Sequence, residues 1–208
     1  MYCNSKVLFA LVASIVVATG TPSSAQTADG GIGDAGEVMA KTVFLTSTTH
    51  DGNLGGLDGA DAICQGLADA AGIGVTRTYR AWLASGDGSP DTLFMRSARP
   101  YVRRDGATVA DDYTDLITCD AASPFSCLQN PINVTEENAE LVGFRPVWTN
   151  VLPSGSIHGV FSQDNCFFWT ADLFFGRVGI ASHTTAEWTA AGTGFECGGA
   201  AHLFCFEQ

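Results

Sequence analysis

Cysteines, histidines and a run of arginines are the residues of this 208-residue chain with the most chemistry to offer. A cysteine can ligate a metal, attack as a thiolate or close a disulfide. Cys3 stands alone near the start, and Cys64, Cys119, Cys127, Cys166, Cys197 and Cys205 follow. Cys197, His202 and Cys205 could be read as zinc ligands, but on an extended strand His202 and Cys205 point to opposite faces. The other histidines, His50, His158 and His183, have no metal-ligand spacing. There is no Gly-x-Ser-x-Gly nucleophile elbow and no phosphate loop, and the many carboxylates form no acid–base pair at a recognisable spacing. The expectation is a protein that does not catalyse and needs no cofactor or metal.

Charge narrows the ligand classes. With 22 acids against 10 lysines and arginines the formal net charge is -12, which opposes the phosphate attraction that dominates nucleic-acid binding. One stretch runs the other way. Arg77, Arg80, Arg96, Arg99, Arg103 and Arg104 lie between residues 77 and 104, where Asp87 and Asp91 are the acids. Guanidinium forks suit sulfate and carboxylate groups, so Arg96, Arg99, Arg103 and Arg104 are the candidate set for an anionic ligand. The alternative is internal pairing with the acidic remainder. Asp111, Asp112 and Asp115 could hold an ion or form a solvated acidic face with Tyr113 turned inward. The run FFWTADLFF, residues 167–175, would mark a binding patch if exposed; beside Cys166 it is expected in the core.

These residues need elements to position them. Residues 1–25 read as a secretory signal, with Lys6, an apolar run over residues 7–18, and small residues at Ser23 and Ala25 before a cleavage at Gln26. Cys3 would leave with it. Residues 26–40, QTADGGIGDAGEVMA, read as a flexible leader, and no later run could span a membrane. An exported chain with six remaining cysteines implies three disulfides, their pairing left open by the count. The domain is expected over residues 41–208, in an extracellular or cell-envelope setting, periplasm included. KTVFLTST, residues 41–48, is of strand type. Ala60, Ile63, Cys64, Leu67, Ala68 and Ala71 predict one helix, with Asp58 able to cap its start and Gly72 to end it. From Thr78 onward TYRAWLA, PYVRR turning at Asp105–Gly106 into ATVA, PVWTN, FFWTA, GRVGIA and AHLFCFE predict short strands. The fold class is α+β, with mostly short antiparallel strands, one main N-terminal helix and long loops over residues 111–145 and 150–165.

The motifs GLDGADAIC (residues 56–64), TYRAWLAS (residues 78–85), Val147-Trp148, Cys166-x-x-Trp169 and Cys197-x7-Cys205 followed by Phe206-Glu207 resemble, in that order, the endostatin domain, a variant of the C-type lectin-like fold. The likeness extends over about residues 41–208 and is closer still to bacterial endostatin-like surface proteins and a related exported bacterial family of no assigned function. It implies that Cys64 pairs with Cys205, that Cys166 pairs with Cys197 inside that loop, and that Cys119 and Cys127 close a local loop. It also implies an extracellular protein or matrix component as partner, or a heparin-like glycan bound through arginines such as Arg103 and Arg104. Lectin calcium chemistry is not implied, because Asn130-Pro131-Ile132 and Trp188-Thr189-Ala190 lack the oxygen ligands of the lectin triplets. The sequon Asn133-Val134-Thr135 matters only in a glycosylating pathway.

Overall fold

The computed structural model describes residues 39–119, 126–192 and 194–208. The expected signal and nearly all of the leader lie outside them. The described chain is α+β, with few helices, two short sheets and three disulfides.

Two uninterrupted apolar runs set the centre. Val43, Phe44 and Leu45 in β1 (Lys41–Leu45), and Phe204, Cys205 and Phe206 in β8 (Phe204–Glu207), are all fully buried. A strand buried on both faces has no use for polar alternation. The two pair antiparallel, Phe44 opposite Cys205, in a five-stranded sheet of order β2-β8-β1-β3-β4. The flanks are β2 (Tyr79–Ala81), β3 (Tyr101–Arg103) and β4 (Thr108–Ala110). β3 and β4 form the hairpin expected across Asp105–Gly106. The other strand pairs are antiparallel, as expected for most of them, but β1 and β3 run parallel. Between them the chain runs through α1 (Gly56–Ala70) and then β2 at the sheet's far edge, a connection long enough for parallel neighbours.

Side-chain alternation along β1 and β8 then makes two cores. Val43, Leu45, Phe204 and Phe206 face one that holds Trp82, Tyr101, Tyr113 and Trp188. Phe44, Leu203 and Cys205 face the other, covered by Ala60, Cys64 and Ala68 of α1. Small residues on that helix face allow close approach, and the Cys64–Cys205 disulfide crosses the contact. Asp58 does not cap α1. The N-cap is Gly55 in a left-handed conformation without a side-chain cap, and Asp58 lies in the first turn, where its charge favours the helix dipole. Gly72, at φ 73°, follows the helix end as expected.

A second sheet of order β5-β6-β7 contains β5 (Pro146–Trp148), β6 (Phe175–Ile180) and β7 (Gly194–Glu196). The strand expected over FFWTA is absent, because Cys166–Trp169 forms a left-handed turn. Two short helices lie outside the sheets, one between β2 and β3 and one in the loop of residues 111–145. α2 (Pro90–Leu93) starts at a Ser89 capping box, and α3 (Tyr113–Ile117) is capped by Asp112. Cys119–Cys127 ties the segment after α3. Three tryptophans anchor the layers through their indole N–H groups, donating from Trp82 to Thr189 Oγ1, from Trp148 to the His50 carbonyl and from Trp169 to the Ala84 carbonyl.

Candidate functional site

The left-handed turn builds the most unusual surface of the molecule. Cys166, Phe167, Phe168, Trp169 and Phe174 all have φ between 51° and 72°, and none is glycine. A β-carbon in this region crowds the following carbonyl and costs about 1–2 kcal/mol per residue, so neighbouring structure must hold it. Asn165 accepts from the Phe168 amide through Oδ1 at 2.9 Å. The Trp169 amide donates to the Asn165 carbonyl, and the Trp169 carbonyl accepts from Leu54. The Trp169 indole is fully buried. Cys166 is bonded to Cys197. At the far end an antiparallel bridge joins Asn165 to Gly176, so residues 166–175 form a closed loop clamped at its base.

Glycines make the clamp possible. A β-carbon on Gly176 would lie 2.7 Å from both Cys166 Sγ and Trp148 Cζ3, and one on Gly52 would overlap Cys166 Sγ. The disulfide therefore sits between two bare backbones.

This geometry overturns the expectation that FFWTADLFF is core. Trp169 is buried, but exposure runs from 37% at Phe168 to 62% at Leu173, with Phe167, Phe174 and Phe175 between. Val160 and Phe161, just upstream, are exposed as well. The Phe167 and Phe168 rings stand 5.9 Å apart. A loop held at a conformational cost, with its large side chains turned into solvent, has the features of a binding surface. The run was visible in the sequence. Its exposure was not, because no glycine or asparagine within it marks positive φ.

The arginines do not converge in the same way. Arg96 pairs with Asp91 at 2.7 Å and lies over the Tyr113 ring. Arg103 bonds Asp105, Asn133 Oδ1 and the Pro131 carbonyl. Its donation to Asp105 holds that carboxyl below the usual range. Arg104 donates to the Glu136 carbonyl, and among the described residues the Arg99 guanidinium reaches the Met39 carbonyl alone, at 3.4 Å. Arg77 and Arg80 pair with Glu207 and Asp61. Internal pairing thus occupies four of the six.

The other candidates serve local structure. Asp112 accepts from the Asp115 amide, Asp115 accepts from the Asp111 amide, and Gln129 donates to both Asp111 and Asp115. Tyr113 is turned inward. Asn130 donates to the Thr108 carbonyl, and Thr189 is buried between Trp82 and Val151. Asn133 is 5% exposed and donates to Glu140, which leaves its amide a poor acceptor for a glycan. Cys197 and Cys205 are both oxidised, which removes the thiolates of the zinc reading. His202 is buried with Nδ1 against the Thr46 carbonyl, and burial lowers its pKa, with nearby Arg145 acting in the same sense. An open groove of about 420 Å³ runs past Arg104 and Glu136, but the Glu136 carboxylate is already bonded by the Ser47 amide and hydroxyl.

No family model matches the chain, and no curated protein matches it. Among the described residues no helix is long and apolar enough to cross a membrane. Three disulfides fit an oxidising, extracellular setting.

Proposed function

We propose that the chain is an exported, non-catalytic binding domain that recognises an extracellular or surface protein through the aromatic loop of residues 166–175. The observation that carries this reading is a strained, disulfide-clamped loop presenting exposed phenylalanines. Aromatic side chains dominate the anchor positions of protein interfaces, and a rigid presentation lowers the ordering cost of binding. The endostatin-like variant of the C-type lectin-like fold belongs to this proposal. It is supported by the first helix being tied to the last strand through Cys64–Cys205, with Cys166–Cys197 nested inside. The signal-like residues 1–25 support export.

Phe167 and Phe174 provide the test. The Phe167→Ser, Phe174→Ser double variant should retain the melting temperature of the parent within a few degrees and lose binding to whichever members of an extracellular-protein array the parent captures. Capture that survives the double substitution would place the binding surface elsewhere. Sulfated-glycan binding is the competing function, and pairing of Arg96 and Arg103 speaks against it. The domain should pass through a heparin column at low salt; retention there, abolished by Arg103→Ala with Arg104→Ala, would favour the glycan.

A further inference from the structure

We propose that the partner segment seated on the aromatic loop is basic, carrying arginine or lysine among apolar residues. The inference rests on the reading just given and specifies the chemistry of its ligand.

The rim of the loop is acidic, and the nearest cations, Arg80 in the groove that Asp87 lines and Arg177 of β6, are paired with Asp61 and Asp164. Asp172 is exposed within the loop, next to Leu173. Glu196 of β7 is exposed and lies directly across the strand pair from Phe175. Asp87 is exposed beside Gly86, and a β-carbon on Gly86 would be 3.3 Å from the Phe168 ring. Among the described residues none of these three carboxylates has an ion-pair partner. Asp164 does, in Arg177 at 3.9 Å. Over residues 146–208 Arg177 is the one lysine or arginine in the sequence, against five acids.

A phenylalanine face attracts a cation held within about 6 Å. An unpaired carboxylate beside it supplies a charge-assisted hydrogen bond to the same guanidinium or ammonium group. The net charge of -12 adds a long-range field that draws cationic partners and repels acidic ones. An anionic membrane or a sulfated glycan would meet repulsion at this surface, and a purely apolar partner would leave the acidic rim unused.

The experiment selects peptides from a random 12-residue display library on the folded, oxidised domain, with counter-selection on the Phe167→Ser, Phe174→Ser variant. Selected peptides are expected to be enriched in arginine or lysine together with apolar residues. Their affinity should fall about tenfold between 0.15 and 0.5 M salt, and about tenfold on Asp172→Asn with Glu196→Gln at 0.15 M. Neutral or acidic selected peptides, or affinity unchanged by the charge variant, overturn the basic-partner inference while leaving the aromatic loop as the binding surface. A library yielding no peptide that depends on Phe167 and Phe174 counts against both. Phosphatidylcholine vesicles form a parallel arm, in which binding by the parent that the charge variant retains would assign the loop to a neutral lipid surface instead.

Discussion

Phe167 shows how a single residue can be held against its own preference. Its φ of 55° is one that glycine adopts freely, and its ring is half in solvent. Phe167→Gly should therefore leave stability unchanged or raise it by up to about 1 kcal/mol, as relief of left-handed strain competes with the backbone entropy of glycine. The same change should weaken partner binding. Urea unfolding read beside the binding assay checks this, and a loss of more than about 2 kcal/mol would mean that the ring supports the fold. Histidines carry a second residue-scale expectation. Burial lowers the pKa of His202, His50 and His158 from 6.5. Below that value the unfolded chain binds more protons than the folded one, so these groups make stability fall with pH as it drops below about 6.5. Thermal melts between about pH 7.5 and 5 should show the decline, and His202→Gln should flatten it. At this scale the sequence was legible for residues whose partners are local, such as Gly72 ending α1. For the arginines internal pairing was foreseeable as an alternative but two of the partners were not, because Glu207 is brought near Arg77 by β2–β8 pairing and Asp61 near Arg80 by packing of α1 on β2.

Among the elements, periodicity located those that bury a regular face. α1, the β3–β4 hairpin and the β8 run were all readable from side-chain pattern. β7 was not, because its residues, Gly194, Phe195 and Glu196, are too few to form a pattern. The parallel pairing of β1 with β3 also lies beyond local pattern, since each strand could have paired either way. The loop of residues 166–175 combines both difficulties, because its hydrophobicity resembles a strand while its backbone is set by Asn165, Trp169 and the disulfide. The elements that hold it can be tested without touching the aromatics. Gly176→Ala would press a methyl group into Cys166 Sγ and Trp148. It should destabilise the domain by about 1–3 kcal/mol, the usual cost of overpacking, and slow formation of Cys166–Cys197. Differential scanning calorimetry and thiol trapping during refolding measure both. A variant with unchanged melting temperature would show that the three elements meeting there are looser than drawn.

For the whole molecule, the three crosslinks differ in the length of chain they close. In the chain-entropy picture, sequence separations of 141, 31 and 8 residues correspond to about 5, 4 and 2.5 kcal/mol. Replacing Cys64 and Cys205 by serine should therefore cost more than replacing Cys119 and Cys127, and chemical denaturation of the two paired variants gives the comparison. Equal losses would mean that native contacts, and not chain entropy, set the worth of each bond. Charge at this scale was legible as a sum and not as a distribution. The basic stretch of residues 77–104 is largely spent in internal ion pairs, whereas Asp172 and Glu196 stay exposed beside the phenylalanines. The pairing of β1 with β8 has a mechanical consequence. Because the strands are antiparallel neighbours, force applied through the two ends of the described chain peels them apart residue by residue until it reaches Cys205, and then passes directly to Cys64. The residues between those cysteines, aromatic loop included, lie off the load path. Stretching the oxidised domain should thus release roughly 30 residues, ~100 Å of contour, and a reductant should unlock several times that length.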